Sequence, residues 1–169
     1  MYTVVVADDE EEIRRGIIKK VRWEELGFRV VGDAENGVEA LELVEKLEPD
    51  LLLTDIRMPF MSGIELARQV REIRPTVQIA FLSGFDDFSY AQQAIQYNII
   101  SYMLKPISSQ ELEEELKNIK EIIDQKFEEF ASKESVQDRL DKSEFMLPLL
   151  LEGYQGKVTE EVKEELRQL

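Results

Sequence analysis

Five short apolar runs punctuate the first 104 residues, and amphipathic stretches separate them. The runs are Tyr2–Ala7, Phe28–Ala34, Leu51–Asp55, Val77–Ser83 and Ser101–Leu104. Leu51-Leu52-Leu53-Thr54 has no polar alternation and is bounded by Pro49-Asp50 and Met58-Pro59, as expected of a strand buried on both faces. Between the first two runs, Glu10 to Arg22 sets Ile13, Ile17, Ile18 and Val21 at helical spacing. Acids lead that stretch and Lys19, Lys20 and Arg22 trail it, which suits the helix dipole. Trp23 to Gly27 is a turn. Asn36-Gly37 opens a second helix with Val38, Leu41, Leu43, Val44 and Leu47 as its apolar positions, and Pro49 stops it. Ile64 to Ile73 places Ile64, Ala67, Val70 and Ile73 inward and Arg68, Arg71 and Arg74 outward, and Phe88 to Tyr97 makes a fourth helix. Strands alternating with helices of this length specify βα units, and right-handed crossovers then require a parallel sheet with helices on both faces. The predicted class is α/β: a flavodoxin-like three-layer sandwich, five parallel strands in the order 2-1-3-4-5, with an extended C-terminal helical segment.

The last helix starts at Ser108-Ser109, where Glu111 completes a capping box from Ser108. Its stripe of Leu112, Leu116, Ile119, Ile123, Phe127 and Phe130 runs past the reach of a sheet of this size. Leu112 to Ile123 suit a helix packed on its own domain. Phe127, Phe130, Val136 and Leu140 predict a short coiled coil with a second copy, though the pattern blurs at Ala131 to Ser135. Beyond it come an apolar run at Phe145 to Leu151, a turn at Gly153 to Gly156, and a helix from Thr159 with Val162, Leu166 and Leu169 on one face. The pattern breaks off there, which predicts a further module. The expected organisation is residues 1–122 as one domain and 123–169 as a helical linker and dimerisation extension.

Charge and missing residue types narrow the chemistry. Thirty-six acids against twenty-one bases leave a formal charge of -15, which argues against phosphate neutralisation by these residues. Any DNA contact lies elsewhere. With no cysteine there are no disulfides, thiolate metal sites or thiol catalysis. With no histidine, chemistry here must use carboxylates, hydroxyls and lysine. No basic-flanked signal segment and no membrane-length apolar run is present, so a cytoplasmic, membrane-independent chain is expected.

Three apolar runs end in charge. Val4-Val5-Val6-Ala7 runs into Asp8-Asp9, Leu51-Leu52-Leu53-Thr54 into Asp55, and Tyr102-Met103-Leu104 into Lys105-Pro106, while Ser83 closes the fourth run. In an open parallel sheet these ends share one edge, outside the carboxyl ends of the strands, where ligands bind. An aspartate after a strand is by itself an ordinary cap or loop residue, and a lysine in a turn an ordinary surface residue. Their convergence in chain order is what marks a site.

Together these residues resemble the receiver domain of bacterial two-component response regulators. The matching stretches are Val4 to Glu10, Asp55-Ile56-Arg57-Met58-Pro59-Phe60-Met61-Ser62-Gly63, Phe81-Leu82-Ser83-Gly84 and Tyr102-Met103-Leu104-Lys105-Pro106. Leu82 to Ala91 further resembles the subgroup whose output module is an AraC-type helix-turn-helix. The resemblance implies a phosphoacceptor switch, not a turnover enzyme, in which Asp55 is phosphorylated by a partner sensor histidine kinase. It implies Mg²⁺ held by Asp9, Asp55 and the Arg57 backbone carbonyl, with Asp8 acting through water, and Lys105 and Ser83 facing the phosphoryl oxygens. It also implies a cis Lys105-Pro106 bond, a Tyr102 that swings inward with Ser83, and homodimerisation that pairs DNA-binding output domains outside this chain. For Tyr102 a half-buried strand aromatic is an equal reading of the pattern. Arg14, Arg15, Lys19 and Lys20 are candidate docking residues or simply a solvated helix face.

Other chemistries suit the residues less well. A Mg²⁺-dependent phosphohydrolase of the haloacid-dehalogenase type needs a second acid two residues after its nucleophile, where Arg57 stands. A nucleotide- or flavin-binding domain needs a glycine-rich loop after the first strand, where acids stand instead. A degenerate dimerisation module would not need the full residue set.

Overall fold

The computed structural model describes residues 1–84 and 88–144, with side chains for all of these but 88 and 132–144. The elements in chain order are β1 (Tyr2–Ala7), α1 (Glu11–Lys20), β2 (Phe28–Ala34), α2 (Gly37–Leu47), β3 (Leu51–Thr54), α3 (Gly63–Ile73), β4 (Gln78–Ser83), α4 (Phe88–Gln96), β5 (Ser101–Leu104) and α5 (Ser109–Glu144). All strand pairs are parallel and the order is β2-β1-β3-β4-β5, as the alternation predicts. The chain divides into two compact units, Met1–Glu121 and Ile122–Leu169.

The first unit holds the sheet. Val4, Val5, Val6, Leu51, Leu52, Leu53, Ile79 and Phe81 are buried, so the central strands are apolar on both faces. Helices α2 and α3 close one side through Ala40, Val44, Leu66, Ala67 and Val70. Leu112, Leu116 and Ile119 bury the inner stripe of α5. Local signals end the helices where expected. Asn36 Oδ1 accepts from the Glu39 amide at 2.9 Å, Ser62 Oγ from the Glu65 amide at 3.2 Å, and Ser108 Oγ from the Glu111 amide at 3.0 Å. Glu111 reaches back to the Ser108 amide at 3.4 Å, completing the capping box. Glu113 of α5 accepts from the Arg22 amide and from Arg22 Nη2, both at 2.9 Å, tying α5 to the turn after α1.

One expectation needs correcting here. Arg71 does not point outward into solvent. Its guanidinium is partly buried and donates to the carbonyls of Tyr97 (2.8 Å), Asn98 (3.2 Å), Pro75 (3.2 Å) and Val77. Helical spacing puts Arg71 beside Arg68 and Arg74, but the carbonyls left over at the α3–β4 and α4–β5 turns recruit it.

Within the second unit the chain is helical as far as Glu144, straight through Ala131 to Ser135. Phe127 and Phe130 are exposed, at 54% and 38%. The side chains of Val136 and Leu140 lie outside the described residues, as do the Phe145–Leu151 run, the Gly153–Gly156 turn, the helix from Thr159 and the Phe85-Asp86-Asp87 stretch.

Candidate functional site

Strand register gathers the site. Ala7 pairs with Thr54, Thr54 with Phe81, and Phe81 with Tyr102, so these four residues lie level across the sheet. Asp8 and Asp55 come one step past that line on neighbouring strands. Ser83 and Leu104 pair two steps past it, and Lys105 follows. The backbone ladder continues through the exits: the Asp55 amide donates to the Ala7 carbonyl at 2.8 Å and the Lys105 amide to the Ser83 carbonyl at 2.8 Å. Strand β3 ends at Thr54, one residue before the sequence pattern suggests, and Asp55 opens the loop.

Glycine lets that loop turn tightly. A Cβ on Gly63 would fall 2.1 Å from the Asp55 carbonyl oxygen and 2.9 Å from Ile56 Cα, so the start of α3 packs directly on the backbone of the phosphoacceptor candidate. The Gly63 amide donates to the Ile56 carbonyl at 2.6 Å, and the Ile56 amide donates to Asp55 Oδ1 at 2.7 Å. Asp55 is thereby held from both its backbone and its carboxylate.

Asp8, Asp9, Glu10 and Asp55 each present a carboxylate oxygen, and these oxygens all lie within 4.8 Å of one another. Asp8 and Asp55 are buried, at 2% and 5% exposure, whereas Asp9 and Glu10 are open to solvent. Lys105 Nζ lies among them, 2.7 Å from Asp8 Oδ2, 3.1 Å from Asp55 Oδ2 and 3.3 Å from Glu10 Oε1. Burial pushes the Asp8 carboxyl above its ordinary value, and the neighbouring Asp55 charge adds to this, although Lys105 and the Glu10 amide oppose it. Burial also opposes the charge on Lys105, but Asp8 and Asp55 outweigh it and its pKa lies above the usual lysine value. One ammonium shared among three carboxylates leaves the cluster short of positive charge. The Lys105-Pro106 peptide is cis.

The remaining candidates are placed as follows. Ser83 is fully buried at the end of β4. Tyr102 is half-buried, its ring edge-on to Phe81 with centroids 6.2 Å apart. Arg57, two residues past Asp55, is exposed and donates through Nε to the Tyr90 hydroxyl at 3.0 Å. Two residues differ from expectation. Glu10 belongs to the carboxylate cluster; its signal in the sequence was its place as the third acid of Asp8-Asp9-Glu10. Arg14 is not an exposed docking residue. It is buried, donating through Nε to Asp33 Oδ2 and through Nη1 to the Asp8 carbonyl, both at 2.7 Å. Its spacing of four and seven to Ile18 and Val21 puts it on the inner stripe of α1, which was the available sign.

The family model described as the response regulator receiver domain matches residues 4–117. The chain belongs to that family. A transcriptional regulatory protein of Bacillus subtilis, YesN, is 40% identical to this receiver domain over 119 residues, which cover 70% of the chain and 32% of YesN. The transcriptional regulatory protein HptR of Staphylococcus aureus is 39% identical over 113 residues, 67% of this chain and 44% of that protein. Among solved structures, the receiver domain of AraT, a response regulator from Geobacillus stearothermophilus, aligns with a TM-score of 0.70 at 41% identity, covering 74% of this chain and 97% of that one. A two-component transcriptional regulator AraC from Clostridium phytofermentans aligns with a TM-score of 0.67 at 34% identity, over 74% and 97% of the two chains. This chain thus spans less than half the length of the curated relatives it matches. Among the described residues of the receiver domain and its helical extension, no helix is long and apolar enough to cross a membrane.

Proposed function

We propose that this receiver domain is a phosphorylation switch in which Asp55 accepts a phosphoryl group from a sensor histidine kinase. The observation that carries the reading is the seat of Asp55: a buried carboxylate at a strand exit, with Lys105 Nζ 3.1 Å away and three further carboxylates around it. In the transfer, an Asp55 carboxylate oxygen bonds to phosphorus as the phosphorus–nitrogen bond to the donor imidazole breaks, leaving an acyl phosphate on the chain. The imidazole belongs to the partner, because this chain contains no histidine. Lys105 gives up part of its contact with the carboxylates to meet the incoming phosphoryl oxygens, a point-charge role that lysine suits. Ser83 offers its hydroxyl to the same oxygens, and Tyr102 packs inward behind it.

The donor set suits Mg²⁺, a hard cation that takes one or two carboxylates and keeps several waters. Asp9, Asp55 and the Arg57 carbonyl would hold it, with Asp8 acting through water; bound there, it neutralises charge on the transferring oxygens. The contacts that Lys105 and Ser83 make only with the phosphorylated form bias the domain toward its active conformation. The response then passes through α4, β5 and α5 to residues 123–169, the linker and dimerisation extension that brings two copies together. The exposed Phe127 and Phe130 support that homodimer, and relatives that are transcriptional regulators support DNA-binding output domains, of AraC type, outside this chain. The working compartment is the cytoplasm, where the kinase domain and DNA are found.

Intact mass of wild type and Asp55→Asn after incubation with a small phosphodonor and Mg²⁺ tests this, with sizing of each product. One phosphoryl group added to wild type alone, with a change in size, is the expected result. Equal labelling of Asp55→Asn would reject the assignment, and many cycles of phosphate release per chain would indicate a hydrolase instead.

A further inference from the structure

Arg14 has no role in the switch as described, yet it occupies an unusual place. A guanidinium on the first helix is buried to 8% exposure, and its two bonds reach two different strand exits. Nε donates to Asp33 near the end of β2, the residue paired with Val6 of β1. Nη1 donates to the main-chain carbonyl of Asp8, the first residue past β1. That carbonyl belongs to the Asp8–Asp9 peptide, so the bond acts on the turn that aims both carboxylates. The same turn is also held by the Glu10 amide, which donates to Asp8 Oδ1 at 2.9 Å, and by the Asp8 amide, which donates to the Ala34 carbonyl at 3.0 Å.

We infer that Arg14 is a positioning residue for the cation site, holding the Asp8–Asp9 turn in its binding arrangement before the cation arrives. The inference rests on the Mg²⁺-dependent phosphoacceptor reading above. Three features support it. First, the planar fork of arginine spans a carboxylate and a carbonyl at once, which a lysine ammonium on a flexible stem does not reproduce. Second, its carboxylate partner Asp33 is half open to solvent, with 45% of its side chain exposed, so Arg14 retains positive character beside a cluster that Lys105 neutralises only in part. Third, a buried charge is costly to hold without compensation, and a purely apolar peg would fill the same space on the inner stripe of α1 with less penalty. The fork, aimed at a carbonyl of the ligand-bearing turn, is what the apolar peg would lack. Outer groups that orient metal ligands typically change metal affinity by about 10- to 100-fold when removed.

The test measures Mg²⁺ affinity by calorimetry and, separately, the phosphodonor labelling rate as a function of Mg²⁺. Wild type, Arg14→Lys, Arg14→Gln and Asp33→Ala are compared, each checked for folding by circular dichroism. Arg14→Lys and Arg14→Gln should weaken Mg²⁺ binding about tenfold or more while labelling at saturating Mg²⁺ returns to within about twofold of wild type. Asp33→Ala removes the outer anchor from an exposed position and should weaken binding by a smaller factor, which keeps the test decisive if Arg14→Gln does not fold. Wild-type Mg²⁺ affinity in both Arg14→Lys and Asp33→Ala overturns the inference and leaves Arg14 a structural peg. A labelling rate that stays low at saturating Mg²⁺ also overturns it, because the defect would then lie outside cation binding. If wild type itself binds no Mg²⁺, or Asp55→Asn is labelled, the underlying reading has failed instead.

Discussion

Gly63→Ala probes the link between backbone packing and Asp55, the proposed phosphoacceptor. Gly63 does not need its freedom of φ; it needs the absence of a Cβ, which would sit 2.1 Å from the Asp55 carbonyl oxygen and 2.9 Å from Ile56 Cα. Both obstacles are backbone, so no rotamer change relieves them. Reaching a normal carbon–oxygen contact requires the α3 start and the Asp55–Ile56 peptide to separate by about 1 Å, and overpacking of this kind costs about 1–3 kcal/mol. The bond from the Gly63 amide to the Ile56 carbonyl stretches with it, at about 1 kcal/mol. Alanine's better helix propensity returns up to about 1 kcal/mol. The net loss is therefore about 2 kcal/mol, near the upper end of the overpacking range if the loop is stiff. In urea, with a slope of about 2 kcal/mol/M, the midpoint should fall by about 1 M. Because the displaced peptide carries the Asp55 carboxylate, labelling by a small phosphodonor should slow by about 100-fold. Gly16→Ala is the control: nothing lies within 4 Å of its Cβ, and it should gain about 0.5–1 kcal/mol as an alanine inside α1. A Gly63→Ala midpoint equal to wild type refutes the close-approach argument. A lowered midpoint with wild-type labelling refutes the claim that α3 positions Asp55.

Lys105→Met removes the ammonium and strands Asp8 and Asp55, so without divalent cations it should cost about 3 kcal/mol in urea unfolding, with much of the loss recovered when Mg²⁺ is added. Glu113 is held below its ordinary carboxyl value by the Arg22 side chain and amide. Its folded pKa is depressed, so its contribution is present above the unfolded value near 4.5 and is lost as pH falls through the folded one. The stability gap between wild type and Glu113→Gln should therefore be constant from pH 8 to 6 and shrink below about pH 4.5; a gap that widens in acid would contradict the pairing. Leu116→Ala empties a fully buried position on α5 and should cost about 2–5 kcal/mol by the same unfolding assay. Phe127→Glu with Phe130→Glu should keep Asp55 labelling and abolish the size change on phosphorylation; an unaltered size change would move the dimer contact off this stripe.

Much of this architecture is legible in the chain because the burial pattern is local. Leu51-Leu52-Leu53 is apolar at every position, Pro49 and Pro75 stop the helices before them, and Asn36, Ser62 and Ser108 act on amides three residues away. The acidic and basic strand ends were readable for the same reason, since a parallel sheet sends all of them to one edge. What the expectation that basic residues face outward misjudges is where the long cations go. Arg14 and Arg71 both sit in amphipathic helices where basic residues belong outside, yet Arg14 is drawn inward by the Asp8 carbonyl six residues back and the Asp33 carboxylate, and Arg71 by the Tyr97 and Asn98 carbonyls of a later turn. Nor does any local pattern disclose that α3 rests on the Asp55 carbonyl. The glycine there reads as a helix start, and only the folded loop shows what a side chain would strike.

The seat of Lys105 has a consequence for how the protein is made. Glu10 and Lys105 meet across 95 residues of sequence, on strand exits that are not neighbours in the sheet. A ribosome delivers the acids of the first strand long before it delivers the lysine that compensates them. A nascent or truncated chain lacking β5 therefore carries an unbalanced acidic edge without the Lys105 ammonium, so on the proposed function competence for phosphorylation arrives only with the fifth strand. On the proposed function, the atom that would meet the phosphoryl group is also the last charged part of this sheet edge to be synthesised.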